Sequence, residues 1–418
     1  MNVFDANRFE LNGAGNIKSS AFEVNTSFTI ISGPISSTIK IPFNKRNKLL
    51  GMLQCGFQGT TNEGKVVFCS KIHLTSQGSE EIKFGLLDEL VIGSVITPRK
   101  FKSRLFGLYL GTAHFKFKSF QISIDNAPNS QELRAFTSEF GGVIEGSELY
   151  IHSLDGDVSK ETLVDLANDI CLMLSLIYAT SISFKRYSLV SEDENEQEFW
   201  KTAIVHSKFG HGVIDVNDLD NCLPVILNSY QDLNKVEKKC IQTLVLSFAS
   251  NQGGFLEDSV LQVAQGWEIA ADGLSEIKIE LDDDIKDLKK KLKATIKAWK
   301  KDKEIAYDTG LITTRVIDSL SWDKVIKKIE TFARDEDLDF EKLELDIPFL
   351  IEVRNSIVHT GRFEVPEDAQ IISNMRTSAR FALFVLIFSK LGYEGKIYDD
   401  KTGFIIEENI KHYKISKD

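Results

Sequence analysis

The chain has 418 residues, 42% of them hydrophobic and 27% charged, with a formal net charge of -11 at neutral pH. That length exceeds what one hydrophobic core organises and fits two or three domains of an ordinary globular protein. The negative balance excludes a surface that binds nucleic acid everywhere, so any contact with RNA must be local. The cysteines, Cys55, Cys69, Cys171, Cys222 and Cys240, are odd in number and contain no CxxC pair. Free, buried thiols are expected, with no zinc-site signal.

The N-terminal sequence lacks a basic-then-apolar leader, and no apolar run reaches the length of a membrane span, so a cytoplasmic location with no membrane contact is expected. Residues 21–31, 37–43, 65–75, 105–124 and 143–152 alternate apolar and polar side chains between clusters of Gly, Asn and Ser. They predict an antiparallel, sandwich-like domain over 1–155. The segment Gly59-TTNE-Gly64-Lys65-Val66 nearly spells a phosphate loop, but Val66 stands where Ser or Thr must ligate magnesium, and strand-like sequence follows.

From Ser159 the period changes. Residues 159–180 open on a cap, Ser159 with Glu161 and Thr162, and are apolar nearly all round, which predicts a buried helix. A strand pair over residues 181–190 and 199–209 follows, separated by an acidic turn, so 156–225 connects or completes the N-terminal domain. His206 and His211 have no third ligand nearby, and no metal site is expected there. Beyond a domain edge at 215–228 the pattern is helical: 230–250, 257–272, 281–305, 311–333, 347–360 and 367–391. The fold class predicted is α+β, a β-rich domain followed by an α-helical domain over 226–418.

The helix predicted over 281–305 carries Ile285, Leu288, Leu292, Ile296 and Trp299 as one apolar stripe. Lysines fill the rest, and Lys290, Lys293, Lys297 and Lys301 are candidate RNA contacts, against the plainer reading of a solvated charged face.

The most informative residues lie in the 347–360 helix. Asp346 suits its N-cap, Pro348 its first turn and Gly361 its stop. Arg354, Asn355 and His359 all fall within it. At about 100° per residue, Asn355 and His359 are about 40° apart and share a face, while Arg354 flanks the same stripe. His359 falls in the last turn, where the helix dipole favours a cation. Cleavage of RNA by its own 2'-hydroxyl requires a base, an acid for the leaving oxygen and positive charge beside the phosphorane. A histidine, an arginine fork and an orienting amide supply those groups without a metal.

These residues, Arg354-Asn355-SIV-His359 with Thr360-Gly361-Arg362 following, resemble the motif of HEPN-domain ribonucleases, specifically the ApeA-type anti-phage branch. The resemblance covers about the C-terminal 190 residues and includes the helix around Trp267 and the apolar 367–391 helix. It implies a HEPN helical bundle and a metal-independent, cofactor-free endoribonuclease in anti-phage defence or as a regulated toxin. Its substrate would be RNA, tRNA among the candidates, and its catalytic residues Arg354, Asn355 and His359. Glu268 and Arg362 are secondary candidates, the first to hold Arg354 and the second to add charge. A single motif per chain implies a homodimer through the HEPN domain. The resemblance does not extend to residues 1–155, for which a sensor or regulatory role with a phage-derived trigger is expected. The competing reading is a non-catalytic HEPN module that binds RNA, a nucleotide or a protein partner.

Overall fold

The computed structural model describes residues 9–18, 23–32, 37–42, 55–77, 81–106, 111–126, 145–201, 213–250, 255–275, 283–303, 322–360, 369–399 and 404–415. The chain divides into two compact units, Met1–Asn228 and Ser229–Asp418. The first is β-rich and the second helical, an α+β arrangement.

The first unit begins with β1 (Phe9–Lys18), β2 (Glu23–Ser32), β3 (Ser37–Pro42), β4 (Cys55–Thr61), β5 (Val66–Gln77) and β6 (Glu81–Leu86). Their pairing runs β4-β1-β2-β3-β6-β5, and β4 also bonds to β5, so six antiparallel strands close into a barrel. The sandwich-like expectation is corrected here. Alternation of side chains reports that one face of a strand is buried, and it does not distinguish a facing sheet from closure of the same sheet on itself. Strands β1, β4 and β6 lie outside the predicted runs because glycines at 13, 15, 56, 59 and 85 interrupt their pattern.

Those glycines have a steric reason. A Cβ at Gly13 would lie 2.1 Å from the Thr60 carbonyl oxygen, and one at Gly59 would lie 2.7 Å from the Phe28 ring. A small barrel with Phe28 and Phe57 packed edge to face inside, 5.0 Å apart, admits no side chain at those positions. Ile17, Ile30, Ile39, Ile41, Val67 and Ile82 complete the interior.

Strand β7 (Leu90–Ile92) leaves the barrel by pairing with β5 and leads to a second, open part of the sheet. This part contains β8 (Lys100–Phe106), β9 (Ala113–Phe117), β10 (Phe120–Asn126), β11 (Glu145–Ser153), β12 (Ser183–Val190) and β13 (Glu196–Trp200). Its order is β13-β12-β8-β11-β10-β9. Helix α1 (Lys160–Ile177) covers one face, capped by the Ser159 hydroxyl accepting from the Thr162 amide at 3.1 Å. Phe101, Tyr187 and Phe199 stack in series beneath it, and the Tyr187 hydroxyl donates to Glu89 at 2.6 Å.

The near-phosphate-loop sequence is the hairpin between β4 and β5, with Gly64 at a positive φ of 84°. No helix begins there. The expected strand over 199–209 ends at Trp200 as β13, and most of its remainder, with His206 and His211, lies outside the described residues.

The helical unit takes in the end of α2 (Leu219–Asp232), followed by α3 (Lys235–Ser250), α4 (Leu256–Gly273), α5 (Asp283–Lys303), α6 (Trp322–Asp335), α7 (Ile347–Thr360) and α8 (Ala369–Lys390). The single helix expected over 230–250 is two. Asn234 breaks it, with its side-chain oxygen accepting from the amides of Val236 and Glu237 while Glu237 accepts from the Asn234 amide. That reciprocal cap makes a new helix start more favourable than continuation.

An all-α second unit is also corrected. Strands β14 (Lys396–Asp399) and β15 (Phe404–Asn409) form a hairpin after α8. The chain then ties back to the loop after α6 through the Asp339 amide to Tyr413 carbonyl bond, 2.9 Å.

Helix α4 is the hub of this unit, packed on by α3, α6, α7 and α8. Its Trp267 is fully buried and donates from Nε1 to the Ala379 carbonyl of α8 at 2.9 Å. Helix α8 is long and apolar enough to cross a membrane by length and composition, yet 72% of its most apolar window is buried inside the unit.

Candidate functional site

Helix α7 starts where its cap predicts: the Phe349 amide donates to the Asp346 carboxylate at 2.9 Å, and Pro348 sits in the first turn. Ile347, Leu350, Ile351, Val353 and Ile357 are buried and fix the helix against α4, α6 and α8. The opposite stripe is left for Arg354, Asn355, Ser356, Val358 and His359, which range from half-buried to exposed.

Arg354 is the best-anchored member. Its side chain is 21% exposed, and Nη2 lies 3.5 Å from Oε1 of Glu268 on α4. Its Nη1 donates to Oδ1 of Asn355 at 3.1 Å. The plane of the guanidinium is thus held from two sides, by a carboxylate on the neighbouring helix and by the adjacent amide. With the Asn355 carbonyl turned to Arg354, its NH2 group is left to donate elsewhere.

Burial pushes the Glu268 carboxyl above its usual range, an effect Arg354 opposes and Asp272 reinforces. At 3.5 Å the contact is an ion pair outside hydrogen-bond geometry, and Glu268 Oε1 is shielded from water with no hydrogen-bond partner. The carboxylate therefore acts on Arg354 mainly by charge.

His359 is exposed, one turn beyond Asn355, and makes no hydrogen bond or ion pair among the described residues. An exposed imidazole on the same helix as an oriented guanidinium and an amide donor can exchange a proton with a substrate while the cation meets a phosphate. Arg362 lies outside the described residues.

The lysine helix α5 is solvent-facing. Lys290, Lys293 and Lys297 are exposed, the Lys301 side chain is outside the described set, and even the stripe residues Leu288 and Trp299 are 46% and 42% exposed. Among the described elements α7 packs on α4, α6 and α8, so the structure does not bring α5 against the motif helix. No group of three or more His, Cys, Asp or Glu is placed to hold a metal ion among the described residues.

All five cysteines are buried with free thiols, and burial pushes Cys55 up to about 11 and Cys171 and Cys240 up to about 12. They are inert packing groups.

Two features were not foreseen from the sequence. One is a groove of about 540 Å³ on the face of the open sheet away from α1, lined by Lys102, Arg104, Tyr150, Arg186 and Trp200. Alternation in β8, β11 and β12 marks that face only as solvent-side. The other is the pair Arg376 and Arg380 on α8, whose i,i+4 spacing inside an otherwise apolar helix was the available signal.

Comparison with family models, with curated proteins and with solved structures returns no match for this chain.

Proposed function

We propose that this chain is a metal-independent endoribonuclease of the HEPN type, with Arg354, Asn355 and His359 as its catalytic residues. The observation that carries the reading is the anchoring of Arg354. A surface arginine with no task is held by solvent, whereas this one is fixed by Glu268 from another helix and by Asn355, with His359 exposed one turn away. Fixing a guanidinium costs side-chain entropy and is useful when a planar, bidentate contact to phosphate is wanted. A binding-only HEPN module has no use for an exposed histidine in that register.

In this reading the substrate 2'-hydroxyl attacks the adjacent phosphorus and the 5'-oxygen leaves. Arg354 meets the phosphorane oxygens, the Asn355 NH2 group orients them, and His359 transfers a proton. The chain has one motif histidine for two proton-transfer roles, so the active form is a homodimer through the helical unit, located in the cytoplasm. Defence against phage, or a regulated toxin, is the biological setting, with the β-rich unit as sensor.

The test is expression of wild type beside His359→Ala, followed by end-mapping of cellular RNA. Products ending in 2',3'-cyclic phosphate, unaffected by EDTA and blocked by a 2'-deoxy nucleotide at the scissile position, are expected from wild type alone. Equal cleavage by the alanine variant would overturn the assignment.

A further inference from the structure

The groove of about 540 Å³ on the open sheet is formed by neighbouring strands of the β-rich unit, in the order β13-β12-β8-β11. Their register sets its charges in two rows. In one, Lys102 of β8 stands beside Tyr150 of β11 and, across β12, faces Glu198 of β13. In the next, Arg104 of β8 stands between Glu148 of β11 and Arg186 of β12. A shift in the β8–β12 register leaves Lys185 and Arg186 opposite the single residue Arg104, and the Ser103 hydroxyl, donating to the Arg186 carbonyl at 2.6 Å, holds that bulge. Bulges of this kind re-aim a side chain, here Arg186 into the groove beside Arg104.

The cations therefore lie on the two middle strands and the carboxylates on the two outer ones. Lys102 is exposed, and Arg104 is 45% exposed although its Nε lies 3.3 Å from Glu148 Oε1. Glu198 is met by Lys65 at 3.4 Å. A nucleic-acid strand laid across the groove would bring successive phosphates over Glu148 and Glu198 and be repelled. One phosphate over β8 meets Lys102 and the Arg104 fork and avoids both carboxylates. The same carboxylates accept hydrogen bonds from neutral hydroxyl or amino groups, and Tyr150 and Trp200 add aromatic lining. The volume is that of a small-molecule site.

We propose that this groove binds a nucleoside 5'-monophosphate, with its phosphate on Lys102 and Arg104 and its sugar and base donating to Glu148 and Glu198. The site belongs to the β-rich unit and does not depend on the ribonuclease reading above.

The experiment is calorimetric titration of the full chain with the four 5'-ribonucleoside monophosphates, with adenosine, with inorganic phosphate and with a 2'-O-methyl tetranucleotide, which 2'-hydroxyl attack cannot cleave. At least one monophosphate is expected to bind one per chain, about tenfold or more tighter than adenosine or phosphate alone. Lys102→Gln and Arg104→Gln should each weaken it by about tenfold. Both side chains are exposed, and the Arg104–Glu148 pair is a surface pair, so both variants should melt with wild type. Lys102→Gln also leaves that pair intact.

No binding of any monophosphate at about 1 mM would overturn the site. Inorganic phosphate binding as tightly as the nucleotides would reduce the groove to an anion patch, and a tetranucleotide binding far more tightly would make it a strand-binding surface; either result overturns the assignment. Wild-type nucleotide affinity in both variants would place the ligand elsewhere on the chain and overturn it as well. RNA cleavage by the wild-type chain decides the ribonuclease reading separately from all of these.

Discussion

Arg354 Nη2 and Glu268 Oε1 meet at 3.5 Å across the α7–α4 contact, an ion pair in which the carboxylate is more buried than its charge favours. Because the Glu268 pKa is raised in the fold, the stabilising contribution is full at acid pH, below the ordinary carboxylate value. It is lost as pH rises through the folded value. Glu268→Gln removes that dependence. Thermal melts from pH 4 to 7 should show wild type losing stability relative to Glu268→Gln as pH increases. With the charge gone, Arg354 loses an anchor on the neighbouring helix, and RNA cleavage should fall by about tenfold at neutral pH. Parallel melting curves would show that Glu268 titrates normally and is not desolvated by the helix contact.

The hub position of α4 makes a purely structural prediction. A Cβ at Gly266 would come 2.8 Å from Leu383 Cδ2 and 3.3 Å from Phe248 Cζ, and both neighbours are buried. Gly266→Ala gains helix propensity but over-packs the α3–α4–α8 junction, for a net cost of about 1–3 kcal/mol. The melting temperature should drop by several degrees. Cleavage should weaken too, because Glu268 is two residues away. An unchanged melting temperature would mean that the helices separate freely, and α4 would not be the hub.

The site was more legible in the sequence than the fold around it. Asp346, Pro348 and the 3.6-residue recurrence of Ile347, Leu350, Ile351 and Ile357 fixed α7, and the register of Arg354, Asn355 and His359 followed from helix geometry alone. The Glu268 contact could be posed as a question but not answered, since it depends on which face of α4 meets α7. Barrel closure was invisible for a related reason. The hydrogen bonds of β4 with β1 and of β3 with β6 are long-range pairings, and the glycines at the close approaches erase the alternation that would have marked the strands.

Helix α5 tests the lysine assignment separately. Its exposed Lys290, Lys293 and Lys297 pack on no motif element among the described residues, so their contribution to RNA binding should be by charge alone. Replacing all three with Gln should leave kcat unchanged and weaken RNA binding. The salt slope should shrink by about 0.7 for each phosphate that is no longer neutralised. A triple variant with wild-type affinity at low salt would identify α5 as a solvated face.

The composite active site makes the sharpest prediction, because it follows from proton counting. Acid and base roles must be filled in the same turnover, and the motif contributes only His359, exposed at the end of α7. An isologous dimer that brings two α7 helices together duplicates the histidine at one cleft, with Glu268 steadying Arg354 in each copy. Light scattering should then report at least a dimer at micromolar concentration. Mixed dimers with one wild-type and one His359→Ala chain separate the alternatives. If the two histidines serve one cleft, the mixed species should show far less than half of wild-type activity, on the order of 1% for loss of one proton-transfer group. If each chain works alone, activity should sit close to half, and that result, or a fully active monomer, would remove the shared site from the mechanism.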